Sequence, residues 1–122
     1  MGSSSQDPRA VALLPLQPRD YLILLALSDG PLHGHGLLKA VEAEAGGVIF
    51  DPANLYRLLR KLERDDLVSE VRASRRGVAA RRRAYALTTL GRSVLVAESD
   101  RLAHLTEAAR KRKLVSHKLV AR

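Results

Sequence analysis

Residues 51–64 read DPANLYRLLRKLER, and they contain a complete helix signal. The Asp51 carboxylate can cap the first free backbone N–H groups, and Pro52 suits the first helical position, where a missing N–H costs nothing. At about 100° per residue, Leu55, Leu58, Leu59 and Leu62 fall on one side of the helix. Ala53, Arg57, Arg60 and Arg64 centre on the opposite side, flanked by Asn54 and Lys61. One face is built to pack and the other to meet an anionic partner. A solvated surface helix is the plain alternative, and the rest of the chain weighs against it.

The 122 residues carry 21 Lys and Arg against 13 Asp and Glu, a formal net charge of +8 that favours a polyanion as partner. Cysteine is absent, which excludes disulfides, thiol redox sensing and Cys-based zinc sites. The longest strongly apolar run, Tyr21 to Leu27, is too short to span a bilayer, so a soluble, cytoplasmic protein is expected. With no Trp, one Phe and three Tyr, there are few platforms for stacking unpaired bases. Duplex DNA is therefore the favoured polyanion. No nucleophile with a base, phosphate loop or carboxylate pair stands out, and no enzyme is expected.

Met1 to Pro8, MGSSSQDP, reads as an expression leader, and residues 9–18, broken by Pro15 and Pro18, as an N-terminal arm. Arg19 to Ser28, RDYLILLALS, is apolar nearly all round and must be covered on several sides. Asp29-Gly30-Pro31 ends it; a second helix is expected from about Gly34 to Ala45, with Leu37, Leu38 and Val41 buried and Gly46-Gly47 as its stop.

After the basic helix the period changes to that of strands, over Leu67–Val71 and Arg83–Leu87, with the Tyr85 and Leu87 side inward. The segment joining this hairpin is dense in arginine: Arg72, Arg75, Arg76, Arg81, Arg82 and Arg83 put six guanidiniums in twelve residues around Gly77. Thr88 is a plausible N-cap for a last helix running to roughly Leu114. Along it Leu95, Leu102 and Ala109 recur every seven residues, with Leu105 between them and Leu90, Val94 and Ala108 alongside. A single small domain cannot cover so long a stripe, so a second copy of the chain is expected against this helix and the apolar first one. Glu98 and Arg101 interrupt the stripe and pair with each other or across the dimer. The domain plan is thus a leader (1–8), an arm (9–18), a helix-turn-helix with a wing (19–88), a dimerisation helix (89–115) and a basic tail (116–122).

The fold class expected from this order is mainly α with a small β-hairpin, a winged helix-turn-helix. LSDGPLHGHGLLKAVE (Leu27 to Glu42), ANLYRLLRKLERDDLV (Ala53 to Val68) and YALTTLGR (Tyr85 to Arg92) resemble the PadR family of transcriptional regulators, in its short branch with a single C-terminal helix. The resemblance implies that the Leu55-Tyr56 helix is the recognition helix, the basic hairpin the wing and the last helix the dimer element. It further implies that Tyr56 lies at the DNA surface. The chain departs from the family in having His33-Gly34-His35 for His-Gly-Tyr, and Ala84-Tyr85 for two adjacent aromatics. It also lacks the Trp against which some members hold flat aromatic drugs.

The candidate DNA-binding residues are accordingly Asn54, Tyr56, Arg57, Arg60 and Lys61 on the helix, with Arg75, Arg76, Arg81, Arg82 and Arg83 on the wing. Tyr21, Leu22, Leu25, Leu95, Leu102 and Leu105 are candidates for the dimer interface and a stacking-poor effector cavity. No cofactor is expected. His33 and His35, with His104 and His117, form too loose a set to be assigned a metal. The function expected is a sequence-specific, ligand-responsive repressor, a homodimer on a palindromic duplex operator. A winged-helix module for RNA or protein, and a metal-responsive sensor, are the alternatives.

Overall fold

The computed structural model describes residues 7–45, 50–72 and 83–116. Its elements are α1 (Pro8–Ala12), α2 (Pro18–Ala26) with a 3₁₀ turn (Leu27–Asp29), β1 (Leu32–His33), α3 (Gly34–Glu44), α4 (Pro52–Arg64), β2 (Val68–Arg72), β3 (Arg83–Leu87) and α5 (Thr89–Lys111). The strands form one antiparallel sheet in the order β1-β3-β2. Val68 is paired with Leu87 at one end of the hairpin and Arg72 with Arg83 at the other. On the other edge of β3, Leu32 faces Tyr85 and His33 faces Ala84. The winged helix-turn-helix plan is therefore present, with one strand more than expected.

Helix ends follow from local chemistry. Asp51 Oδ1 accepts from Asn54 N at 2.8 Å and Thr88 Oγ1 from Gly91 N at 2.8 Å, so both expected N-caps are made. α4 stops where Asp66 turns left-handed, φ 65°, letting Leu67 N reach back to Leu62 O at 2.9 Å and Asp66 N to Glu63 O at 3.0 Å. The same motif ends α5: Lys113 has φ 61°, and Leu114 N bonds Ala109 O at 2.9 Å. α5 thus ends at Lys111 rather than near Leu114. No glycine marks that stop, which is why the sequence pattern runs past it.

The arm is more structured than expected. Asp7 caps α1 by accepting from Arg9 N at 2.9 Å, and Ala10 is buried in the core. The boundary drawn after Pro8 therefore falls inside a helix, with Pro8 as its first residue. Residues 1–6, the Gly46-Gly47 stop and the tail from His117 lie outside the described residues.

One core gathers Ile23, Leu24, Leu37, Val41, Leu55, Leu59, Leu62, Val94 and their neighbours from α2 to α5. Two acids are buried at its margin, Asp20 and Glu98. Glu98, 1% exposed, accepts from both Nε and Nη2 of Arg101, at 2.6 and 2.8 Å, and from the Leu16 backbone N–H at 3.1 Å. Of the two pairings expected for Glu98 and Arg101, the one within a chain is present. It also ties the arm to α5, beside a hydrogen bond of 2.8 Å between the Tyr21 hydroxyl and Ser99 Oγ.

The Arg101 guanidinium holds Glu98 below its ordinary 4.5; burial opposes this and the Leu16 N–H assists it. A lowered carboxylate contributes stability above its unfolded value and loses it as the pH falls through the folded one. Wild-type and Glu98→Gln unfolding curves should therefore differ most above pH 4.5, wild type being the more stable, and converge as the pH falls below it. Urea unfolding across that range checks this, and a pH-independent gap would show that the charge is immaterial.

Candidate nucleic-acid interface

α4 divides as its sequence dictates. Leu55, Leu58, Leu59 and Leu62 are buried, whereas Ala53, Arg57, Arg60 and Arg64 are exposed. Asn54 is half-buried at the N-terminal turn, and its side-chain oxygen accepts from the Arg57 guanidinium. The residues best suited to adenine and guanine edges are thus already in contact on one ridge.

Tyr56 is 40% exposed, and its hydroxyl rests on Gly34 at the start of α3. A Cβ built on Gly34 would lie 2.0 Å from that oxygen and 2.8 Å from Cζ. Only glycine leaves room for the ring, so the position of Tyr56 depends on a residue 22 places earlier. Sequence reasoning passed over Gly34; the one signal was a glycine inside a helical pattern.

Lys61 does not extend with the arginines. Its Nζ lies 2.6 Å from Asp20 Oδ2 on α2, where the Asp20 side chain is 4% exposed. Lys61, expected among the DNA-binding residues, is thus held by an internal carboxylate while 38% of its side chain stays exposed. The signal for Asp20 was a lone acid in an otherwise apolar segment, RDYLILLALS. Nearby, the Arg19 guanidinium sits 5.7 Å from the centre of the Phe50 ring.

At the wing, Arg83 is exposed and its Nε approaches Glu70 Oε2 at 3.2 Å, a surface pair of small energetic weight. Arg75, Arg76, Arg81 and Arg82 lie outside the described residues. Burial, then the Glu70 and Glu63 carboxylates, raises the Tyr85 phenol above its ordinary 10.0 and keeps it neutral in the sheet. His33 Nδ1 is 3.4 Å from Arg83 O, and His35 and His104 are exposed. Among the described residues, no three His, Cys, Asp or Glu side chains gather where they could hold a metal ion.

The dimer and effector candidates separate. Leu95, 5% exposed, belongs to the core of its own protomer, which corrects its assignment to an intermolecular cavity. Tyr21, Leu22 and Leu25 are half-buried against that core. Leu102 is half-buried and Leu105 50% exposed. The stripe of α5 is therefore covered as far as Glu98 and only partly covered beyond it.

A packed helix with a cationic outer face, beside a two-stranded hairpin, defines a winged-helix DNA-binding protein. The chain belongs to the PadR-like family of transcriptional regulators, whose family model matches residues 23–97. It is accordingly a DNA-binding transcription regulator. It is 36% identical over 85 residues to an uncharacterized 37.1 kDa protein in transposon TN4556 of Streptomyces fradiae. That match covers 70% of this chain but only 23% of the other protein. Among solved structures, a PadR family regulator from Eggerthella lenta is 26% identical, with a TM-score of 0.62 over 81% of this chain and 87% of that one. Bacillus subtilis PadR in complex with operator DNA is also 26% identical, with a TM-score of 0.56 over 66% of this chain and 45% of that one. No helix of the described residues is long and apolar enough to cross a membrane.

The Gly34–Tyr56 contact gives a test of how the interface is held. Gly34→Ala should cost about 1–3 kcal/mol through overpacking. In a Tyr56→Phe background the same change should cost less, because the nearest clash is with the hydroxyl. A double-mutant cycle by urea unfolding checks the coupling; strictly additive effects would contradict the contact.

Proposed function

We propose that the protein is a homodimeric repressor that reads a short, roughly palindromic duplex operator and releases it on binding an effector. The observation that carries this reading is the two-sided α4: four leucines anchor it, while Asn54, Arg57 and Arg60 are left towards solvent. A helix fixed in this way can enter a major groove in one orientation, which is what base-specific contact requires. Tyr56 supplies a hydroxyl for a phosphate, and the wing arginines, including Arg75, Arg76, Arg81, Arg82 and Arg83, supply charge along the backbone.

The dimer reading is supported by α5. Beyond Glu98 the apolar stripe continues through the half-buried Leu102 and the exposed Leu105, with only partial cover from the described residues of the protomer. A second copy, related by a two-fold axis, buries it and sets two α4 helices for half-sites about one DNA turn apart. The effector reading is narrower now that Leu95 is internal: Leu22, Leu25 and Leu102 remain to form an aliphatic pocket at the seam. With no Trp in the chain, stacking contributes little there.

Competition between duplex and single-stranded DNA at fixed salt tests the reading against one based on RNA or another protein. Replacing both Leu102 and Leu105 with Glu should abolish the dimer and leave unfolded or aggregated chain. A well-folded wild-type monomer at micromolar concentration in light scattering would contradict the dimer.

Division of labour in binding follows from the same geometry. Arg57→Ala should weaken the specific site by about 1–3 kcal/mol and random duplex much less. Neutralising Arg81, Arg82 and Arg83 should weaken all duplexes and flatten log K against log salt by about one unit for each phosphate left without its cation. Equal weakening of specific and random DNA binding by both variants would rule out this division.

A further inference from the structure

We propose that Asp20 is a specificity-determining positioning residue: it withholds Lys61 from the DNA and uses it to set the orientation of the recognition helix. The inference rests on α4 facing the duplex and concerns which of its cations touch it. Lys61 lies on the same ridge of α4 as Asn54 and Arg57, two and one turns further along. These residues and Leu58 form one wall of a cleft of about 180 Å³ whose other wall is the first turn of α2, Gln17 to Asp20. A lysine at that place has two anions to choose from, the nearby DNA backbone or the α2 carboxylate. In the structure its Nζ lies 2.6 Å from Asp20 Oδ2.

The arrangement is stringent because Asp20 is almost wholly buried while Lys61 keeps 38% of its side chain exposed. Oδ1 of Asp20 is buried with no hydrogen-bond partner among the described residues, so Lys61 is the carboxylate's only side-chain donor there. Removing that donor would strand a buried charge. Removing Asp20, by contrast, leaves an exposed lysine stem able to swing to any phosphate within reach. The pair is therefore asymmetric. Asp20 needs Lys61, but Lys61 without Asp20 becomes a sequence-blind cation beside the base-reading residues.

The outcome for DNA binding differs in sign between the two partners. Asp20→Ala should steepen the slope of log K against log salt by about one per protomer, one new phosphate contact. It should also raise affinity for random duplex, and lower the ratio of specific to random binding by about tenfold as α4 loses its anchor. Lys61→Met should lower specific affinity yet leave the salt slope at its wild-type value. In Asp20→Ala/Lys61→Met the slope should return to wild type.

The measurement is a fluorescence-anisotropy titration of the full chain against an operator duplex, selected from a random pool, and a scrambled duplex over a range of salt. Circular dichroism confirms that each variant is folded. Shifts of equal size and opposite sign for the two single variants would mean that both act only through net charge, and would overturn the proposal. A flatter slope in Lys61→Met alone would place Lys61 on a phosphate and also overturn it. If Asp20→Ala does not fold, Asp20→Asn keeps the side-chain shape, removes the charge and should show the same direction of change. Failure of the wild-type chain to discriminate any duplex would instead count against sequence-specific recognition itself, leaving the two failures distinct.

Discussion

α4, the β2–β3 hairpin and α5 meet at one backbone junction, and its tightness sets their mutual geometry. The Leu67 carbonyl accepts from Thr88 N at 3.1 Å, while the Thr88 hydroxyl donates to Asp66 O at 2.6 Å and caps α5. α5 comes so close that a Cβ on Gly91 would sit 2.0 Å from the Leu67 oxygen. Because the obstruction is backbone, no side-chain rotation can relieve it. The left-handed Asp66 delivers Leu67 to this point directly from the end of α4. Three functional elements thus diverge from a contact only a few residues wide, and tilting one of them carries the other two.

Around that junction the protein uses its few buried acids to organise a surplus of cations. Asp20 and Glu98 are the two buried charged residues among those described, and each is joined to a basic side chain. Glu98 adds a backbone donor and so ties down the arm; Asp20 ties α2 to α4. Breaking such pairs one-sidedly leaves a buried charge without its partner, so each pair holds its elements in one orientation. The remaining arginines of α4 have no buried partner of this kind and face outward. The cations of α4 are thereby sorted into one tethered lysine and outward-facing arginines.

What was legible in the sequence was what local chemistry determines. Asp51-Pro52 marked the start of α4 to the residue, Thr88 that of α5, and the leucine spacing named the buried face of α4. Elements held mainly by distant partners were not legible. β1 is two residues long and exists because Leu32 and His33 lie along β3, more than fifty positions away. α1 was missed through a reading of its first residue as leader and of Pro15 and Pro18 beyond it as breaks, although Asp7 and Pro8 make a good helix start. At the site, the outward arginines followed from periodicity, but the diversion of Lys61 did not. It depends on a carboxylate 41 residues upstream, which apolar neighbours made easy to overlook. Leu95 was misplaced for a related reason: a seven-residue repeat marks a stripe without saying where the protomer's own cover ends.

That end of cover bears on how a signal at α5 would reach the DNA. Two consecutive residues of α2 face different helices, Asp20 binding Lys61 on α4 and Tyr21 binding Ser99 on α5. Being adjacent, they diverge by about 100° around the helix axis, so the start of α2 spans the gap between α4 and the helix that carries the partly covered stripe. The junction at Leu67 and Gly91 spans the same two helices from the other side. With a link on each side, α4 and α5 of one protomer are braced against relative rotation. Flexing within a protomer would have to disturb the Asp20–Lys61 pair, the Tyr21–Ser99 hydrogen bond or the backbone contact of Leu67 with Gly91. Sliding one copy's Leu102–Leu105 surface against another would disturb none of these. In the proposed dimer, a change in the separation of the two copies of α4 would therefore meet least resistance at the seam between copies, where the proposed effector pocket lies.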